Sequence, residues 1–277
     1  VYAVFSDPER HFAVAADRKG KLLWNENLGS FEGEHSSGAS PVALGGRVYI
    51  PNDQDGPSSL LCLDGKTGKT IWNKSREPKL VAYSTPLLVP SARQIVLNSS
   101  HGLTGFDLET GDEKWRCHVY EKRAVGSPTL AAGLVVASSG QGSAGHKMIA
   151  VDPTSSDRVP ATWTLSKEIP YCPTSLAVGD LLYYVTDIGL AKCLDAKTGK
   201  DVWGKRLVGK HSASLVLAGD ALLALAEDGS ATWLAPGKTA KELGKTKLDD
   251  FILSTPAVCD RRLYVRGEKF LWCIGEP

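Results

Sequence analysis

The densest run of potential ligand atoms in the sequence is Asn52-Asp53-Gln54-Asp55, closed by Gly56. A loop so rich in carboxylate and amide oxygens can wrap a hard cation such as Ca2+, which makes Asn52, Asp53 and Asp55 the candidate metal ligands. A plain polar turn accounts for the same residues. The histidines, at 11, 35, 101, 118, 146 and 211, are scattered, and neither a His-Glu-x-x-His pair nor a Gly-x-Ser-x-Gly turn occurs. Cysteines at 62, 117, 172, 193, 259 and 273 include no adjacent pair and no Cys-x-x-Cys, so zinc-ligand spacing is absent. Residues 140–146 are rich in Gly and Ser, but they join two strand-like runs and lead into no helix, whose N-terminus a bound phosphate would need. No catalytic residue is assigned by motif.

The elements that would position such side chains are short strands in a repeat. Three copies align on tryptophan: Leu63-Asp64-Gly-Lys-Thr67-Gly68-Lys-Thr-Ile-Trp72, Phe106-Asp107-Leu-Glu-Thr110-Gly111-Asp-Glu-Lys-Trp115 and Leu194-Asp195-Ala-Lys-Thr198-Gly199-Lys-Asp-Val-Trp203. Looser copies run from Asp17 to Trp24 and, through a longer turn, from Asp152 to Trp163; a sixth has Leu243 in place of the tryptophan. The markers stand at 24, 72, 115, 163, 203 and 243, intervals of 40 to 48 residues. Upstream of each lies a Ser/Thr step, as in Ser40-Pro41, Thr85-Pro86, Ser127-Pro128 and Thr255-Pro256, which opens a short apolar strand.

Each unit therefore reads as four strands, A to D. The Asp ends strand C, a tight turn with a positive-φ Gly follows, and strand D carries the tryptophan. Units this thin bury both faces only by stacking on their neighbours, and tandem four-stranded units satisfy that as an all-β propeller of antiparallel blades. Trp24, Trp72, Trp115, Trp163 and Trp203 are expected to dock on the following blade. Cys62, Cys193 and Cys273 recur at one repeat position and are expected to be small buried residues.

The expected blades cover about 1–28, 36–75, 83–118, 125–166, 172–206, 211–247 and 253–277, all within one domain over 1–277. Seven blades are represented, the first lacking strand A and the last lacking strand D. Neither end supplies what the other lacks without duplication, so the expectation is an N-terminally shortened piece of an eight-bladed ring.

Bulk composition agrees with a globular domain and narrows the partners. Hydrophobic residues make up 42% and charged residues 23%, with 32 Lys+Arg against 31 Asp+Glu. A net charge of +1 without a basic stripe argues against nucleic acid. The longest apolar runs, such as 130–137, are too short to span a bilayer.

The Leu-Asp-x-x-Thr-Gly-x-x-x-Trp units resemble the tryptophan-docking repeat of pyrroloquinoline-quinone (PQQ) propellers over essentially the whole chain. Residues 51–56 and 262–275 are similar to segments of bacterial PQQ-binding-like repeat proteins. The same repeat occurs in the scaffold lipoprotein of the outer-membrane β-barrel assembly machinery. The resemblance implies an exported or periplasmic protein that serves as a non-enzymatic binding or scaffold module, with a protein or small-molecule partner. Two alternatives stay open: a PQQ- and Ca2+-dependent dehydrogenase, and a carbohydrate-binding or carbohydrate-active propeller. PQQ and Ca2+ are not expected here, because the dehydrogenases with adjacent cysteines cap the quinone with a vicinal disulfide. Most tryptophans also occupy docking positions, leaving only Trp233 and Trp272 on C strands.

In the implied architecture the D-to-A and B-to-C connections share one face. Its longest loops are 29–39, 52–59 and 138–147, and function tends to sit in such loops. The candidate ligand or partner site on this face comprises His35, Asp53, Asp55, His101, Arg123, His146, Asp187 and His211, with His11 and His118 placed elsewhere. These residues form either a polar funnel for a ligand or merely a solvated loop surface.

Overall fold

The computed structural model describes residues 1–7, 9–78, 80–142 and 144–275. Seven sheets, antiparallel except for one edge strand of the third, follow one another along the chain, over 2–29, 42–76, 87–118, 129–165, 176–206, 216–247 and 257–275. Sheets two, four, five and six have four strands in sequential order, while sheets one and seven have three. Helix among the described residues is one 3-10 turn, Pro90–Ala92. Chain contacts divide into two compact units: Val1–Pro128, Ser139–Gly145 and Val151–Ala161 form one, and Thr129–Ser138, His146–Ala150 and Thr162–Pro277 form the other.

Within the first unit, sheet one packs on sheet two through Ala13, Val48, Ile50 and Leu63, and sheet two on sheet three through Tyr49, Leu60, Ile95 and Leu97. In the second unit sheets four to seven stack in the same sequential way. Strands B and C, such as Arg47–Asn52 and Ser58–Asp64, are buried on both faces and so read as nearly continuous apolar runs. D strands such as Thr70–Arg76 alternate between exposed and half-buried residues.

The repeat residues each make a definite contact. Asp64 Oδ1 accepts from the amides of Lys66 and Thr67 and from the Thr67 hydroxyl, at 3.1, 2.8 and 2.7 Å. Asp195 does the same with Thr198. Gly68 and Gly199 sit at φ 76° and 68°, and a Cβ on them would lie 2.8 and 2.7 Å from the rings of Trp24 and Trp163. The glycine is thus required twice, for its backbone conformation and for the face it offers to the preceding sheet's tryptophan. Trp24, Trp163 and Trp203 donate their indole N–H to the carbonyls of Gly65, Ala196 and Gly237 at 3.0, 3.0 and 2.9 Å. Trp72 packs on Gly111 likewise, but the matching carbonyl, Leu108 O, already accepts from Arg47 and Tyr49, and the Trp72 N–H is left without a partner.

The Ser/Thr steps form a second relay between sheets. Ser40 N donates to Thr85 Oγ1 and Thr85 N to Ser127 Oγ, both at 3.1 Å. In the second unit Thr174 N donates to Ser214 Oγ and Ser214 N to Thr255 Oγ1, at 2.9 and 3.0 Å.

Three details differ from the sequence expectation. Trp115 turns into its own sheet: it is fully buried, its ring lies over Gly105 on the paired strand, and its N–H donates to Gln94 Oε1 at 2.7 Å. Where Trp72 and Trp203 face Cys62 and Cys193, Trp115 faces a glycine, so nothing blocks the inward rotation. The long turn after Asp152 contributes a fifth strand, Asp157–Arg158, which runs parallel to Glu113–His118 and covers the outer edge of sheet three. Cys273 is exposed because it lies on the outermost strand of sheet seven, whereas Cys62 and Cys193 are buried.

Candidate functional site

The 52–55 loop is closed by protein partners. Asp53 is buried and takes both ends of the Arg76 guanidinium, with Nε–Oδ1 at 2.6 Å and Nη2–Oδ2 at 2.9 Å. Asn52 Oδ1 accepts from Gln54 Nε2 at 3.2 Å, and Asp55 Oδ1 from Val81 N at 2.9 Å. The three candidate Ca2+ ligands are therefore each engaged by a different group of the chain. Gln54 explains the loop's composition, since its amide also donates to the carbonyls of Ser30 and Pro57 and ties 52–58 to the neighbouring 29–39 loop. Beside them Arg123 Nη1 donates to Glu34 Oε2 at 2.6 Å, and the guanidinium holds the Glu34 carboxyl below its ordinary range. His35 is exposed, with its ring 6.0 Å from that of Tyr83.

His101 lies in a different setting, a polar cleft of about 430 Å³ between sheets two and three. Thr104 and Phe106 on one strand and Arg116 and His118 on its neighbour line one wall, because alternate residues of a strand share a face. The end of the sheet-two D strand supplies Arg76 and Glu77 opposite. The Arg76 guanidinium carbon stands 5.0 Å from the Phe106 ring centre, stacked over it while bound to Asp53. His101 and His118 have ring centres 5.1 Å apart, and His118 Nε2 lies 3.0 Å from Thr104 Oγ1. Although His118 is exposed, partial desolvation of its ring, followed by the charges of His101, Arg116, Arg76 and Arg158, pushes its pKa down to about 4. Around the outer edge, a recess of about 340 Å³ is lined by His118, Arg116 and Arg158, the last from the inserted fifth strand.

Two placements of the histidines thus need correction. A D strand ends, and a C strand begins, at the end of the sheet that carries the D-to-A and B-to-C connections. His118 closes a D strand and joins His101 there. His11 opens a C strand and stacks on Phe31 of the 29–39 loop, ring centres 5.1 Å apart. His11 is fully buried with neither ring nitrogen hydrogen-bonded, and burial lowers its pKa.

In the second unit the remaining candidates serve the backbone. Asp187 accepts from the amides of Tyr171 and Cys172 at 2.7 and 3.0 Å, and its carbonyl accepts from His211 N at 3.0 Å. His211 is buried, which lowers its pKa. His146 Nδ1 lies 2.9 Å from the Ile169 carbonyl oxygen. Burial, reinforced by Asp187 and Glu227, pushes the Cys172 thiol up to about 12, and burial lifts Cys62 and Cys193 to about 11, so none is a ready thiolate nucleophile.

Among the described residues no three His, Cys, Asp or Glu side chains gather into a metal cradle, and no helix is long and apolar enough to cross a membrane. The carboxylate and amide oxygens of the 52–55 loop are thus engaged by Arg76, Gln54 and Val81.

Comparison with known proteins agrees with this architecture. The sequence is 24% identical over 136 residues to subunit 1 of the cytochrome c-linked methanol dehydrogenase of Methylorubrum extorquens, a match that covers 43% of this chain and 22% of the relative. The chain thus spans about a fifth of the length of that relative. Its fold superposes on BamB from Moraxella catarrhalis with a TM-score of 0.70 at 17% identity, covering 96% of this chain and 78% of the other. It superposes on a europium-containing methanol dehydrogenase with a TM-score of 0.72 at 13% identity, covering 94% and 70%. At these identities the likeness establishes the fold, a β-propeller of four-stranded blades. The sequence pattern of one family, described as outer membrane protein assembly factor BamB, matches residues 3–205 and 189–271, nearly the whole chain, and the protein belongs to that family.

Proposed function

We propose that this propeller is a binding or scaffold module of the bacterial cell envelope, without catalytic chemistry of its own. The observation that carries the proposal is the internal commitment of the loop residues. Asp53 is matched to Arg76, Glu34 to Arg123 and Asp187 to two backbone amides, which rigidifies the loops and ties up these three carboxylates. Rigid loops on a sheet scaffold suit recognition of a partner surface. Membership of an outer-membrane assembly-factor family supports a protein partner and an envelope location.

The test is a photo-crosslinking amino acid placed at exposed Ile188, in a B-to-C loop, or at exposed Leu217 near the A-to-B turn, in cells that express the protein. One recurrent protein adduct from position 188 and none from 217 is expected. Equal, diffuse labelling from both would defeat the proposal.

The match to methanol dehydrogenase favours a second reading, a quinoprotein dehydrogenase. PQQ with Ca2+ is added to the purified protein and dye-linked alcohol oxidation is followed together with the thermal transition. The scaffold reading expects neither turnover nor a shift in Tm, and sustained turnover would replace it.

A further inference from the structure

The fifth strand of sheet three creates an arrangement that stability alone does not favour. Arg116 and Arg158 are direct partners in the parallel ladder, and both line the recess that His118 closes. Like charges placed opposite each other on neighbouring strands destabilise a sheet. Glu113 pairs with Arg116, but among the described residues Arg158 has no ion pair. The strand that carries Arg158 exists only because the turn after Asp152 is longer than its equivalents after Asp64, Asp107 and Asp195. Val159 N anchors it by donating to Arg116 O at 3.0 Å.

From this juxtaposition we propose that Arg116, Arg158 and His118 form an oxyanion site that takes the phosphate group of a small phosphorylated molecule, whose body lies in the adjoining polar cleft. Two guanidinium groups offer paired donors matched to phosphate oxygens. The cleft, at about 430 Å³, has room for a body of sugar or nucleoside size and lines it with Thr104, Ser99 and His101. A doubly charged oxyanion relieves the repulsion between the two arginines and favours protonated His118. The groups facing that ring are His101, Arg116 and Glu113 from its own sheet, Arg158 from the inserted strand, and Arg76 with Glu77 from sheet two, Arg76 being matched by Asp53. Proton and anion uptake are therefore coupled, and binding of an anion that keeps both charges tightens as pH falls from 7.5 toward 5.

The experiment titrates the full chain with inorganic phosphate at pH 7, and with sulfate, which stays doubly charged, at pH 7.5 and 5.5. It follows the His118 ring resonances and the heat of binding at constant ionic strength. Saturable shifts at His118 are expected, with tighter sulfate binding at the lower pH. Arg158→Ser, on the exposed insertion, is expected to weaken phosphate by roughly tenfold, the cost of a charged hydrogen bond, with Arg158→Lys in between. A Tm for Arg158→Ser equal to or above that of the parent, as relief of the Arg116–Arg158 repulsion implies, confirms that the fold is intact. Shifts reproduced by chloride, or an Arg158→Ser affinity equal to that of the parent, would overturn the proposal whether or not the scaffold function holds.

Discussion

A tryptophan in this protein is stabilising to the degree that its neighbour offers it a flat surface and an acceptor. Trp163, nearly buried on Gly199 and bonded to Ala196 O, has both, and Trp163→Ala is expected to cost about 3–5 kcal/mol in chemical denaturation. Gly199→Ala attacks the same contact from the other side. It forces a left-handed φ on alanine and drives a Cβ into the indole, a loss of roughly 1–3 kcal/mol. Asp53 and Arg76 are a different case, since both are buried and each neutralises the other. Asp53→Ala leaves a buried guanidinium uncompensated, at a cost of about 3–5 kcal/mol, and a Asp53→Ala/Arg76→Leu double variant should recover much of that loss. Equal loss in the single and double variants, measured by urea titration, would show that the pair is not the reason these residues are buried.

At the scale of the element, sheets differ in how firmly they are held. Sheet seven has mostly exposed strands, and beside its packing on sheet six lies an apolar recess of about 540 Å³, lined by Leu223, Trp233, Leu263 and Val265. Amide exchange is therefore expected to be fastest across 257–275 and slowest in the B and C strands of sheets two, three and five, where the side chains are fully buried. Slower exchange in sheet seven than in sheet five would contradict this. The repeat was legible in the sequence because Asp64, Thr67, Gly68 and Trp24 each act locally or on the adjacent sheet, so their chemistry recurs at a fixed spacing. The fifth strand was not, since Asp157–Arg158 is two residues inside an irregular turn and gains its identity only by pairing with Glu113–His118. Trp115 matched the motif, yet its orientation is decided by Gly105, a residue outside the motif. The cleft and the recess beside it escaped for a related reason: Arg76, His101, Arg116 and Arg158 come from separate segments, and no spacing in one segment announces their meeting.

Over the whole molecule, the ionisable groups make stability depend on pH in two successive windows. His11 and His211 are held neutral by burial, and His118, an exposed residue, by partial desolvation of its ring and the charges of His101 and Arg116; the folded pKa values of all three lie below the ordinary 6.5. As pH falls below that value the unfolded chain takes up protons that the folded chain refuses, so stability declines, for His118 down to about 4. The turn carboxylates act lower. The hydroxyls and amides of Thr67 and Thr198 depress Asp64 and Asp195 below the ordinary 3.8, and the Thr154 amide and hydroxyl do the same for Asp152. Their contribution is complete above the unfolded carboxylate pKa and is lost as pH falls through it toward the folded values. The urea midpoint is thus expected to be flat from pH 8 to 7, to fall from about 6.5 to 4, and to fall again below 4. His211→Gln should flatten the first decline without touching the second, and Thr198→Val should do the reverse. Saturating sulfate, which keeps both charges throughout this range, should lessen the first decline, more in the parent than in Arg158→Ser: by favouring protonated His118 in the folded state, it returns stability in the range where the free protein loses it. A midpoint that falls equally with and without sulfate at pH 5.5 would separate the histidine effect from the anion site, leaving desolvation and the neighbouring charges as the whole account of His118.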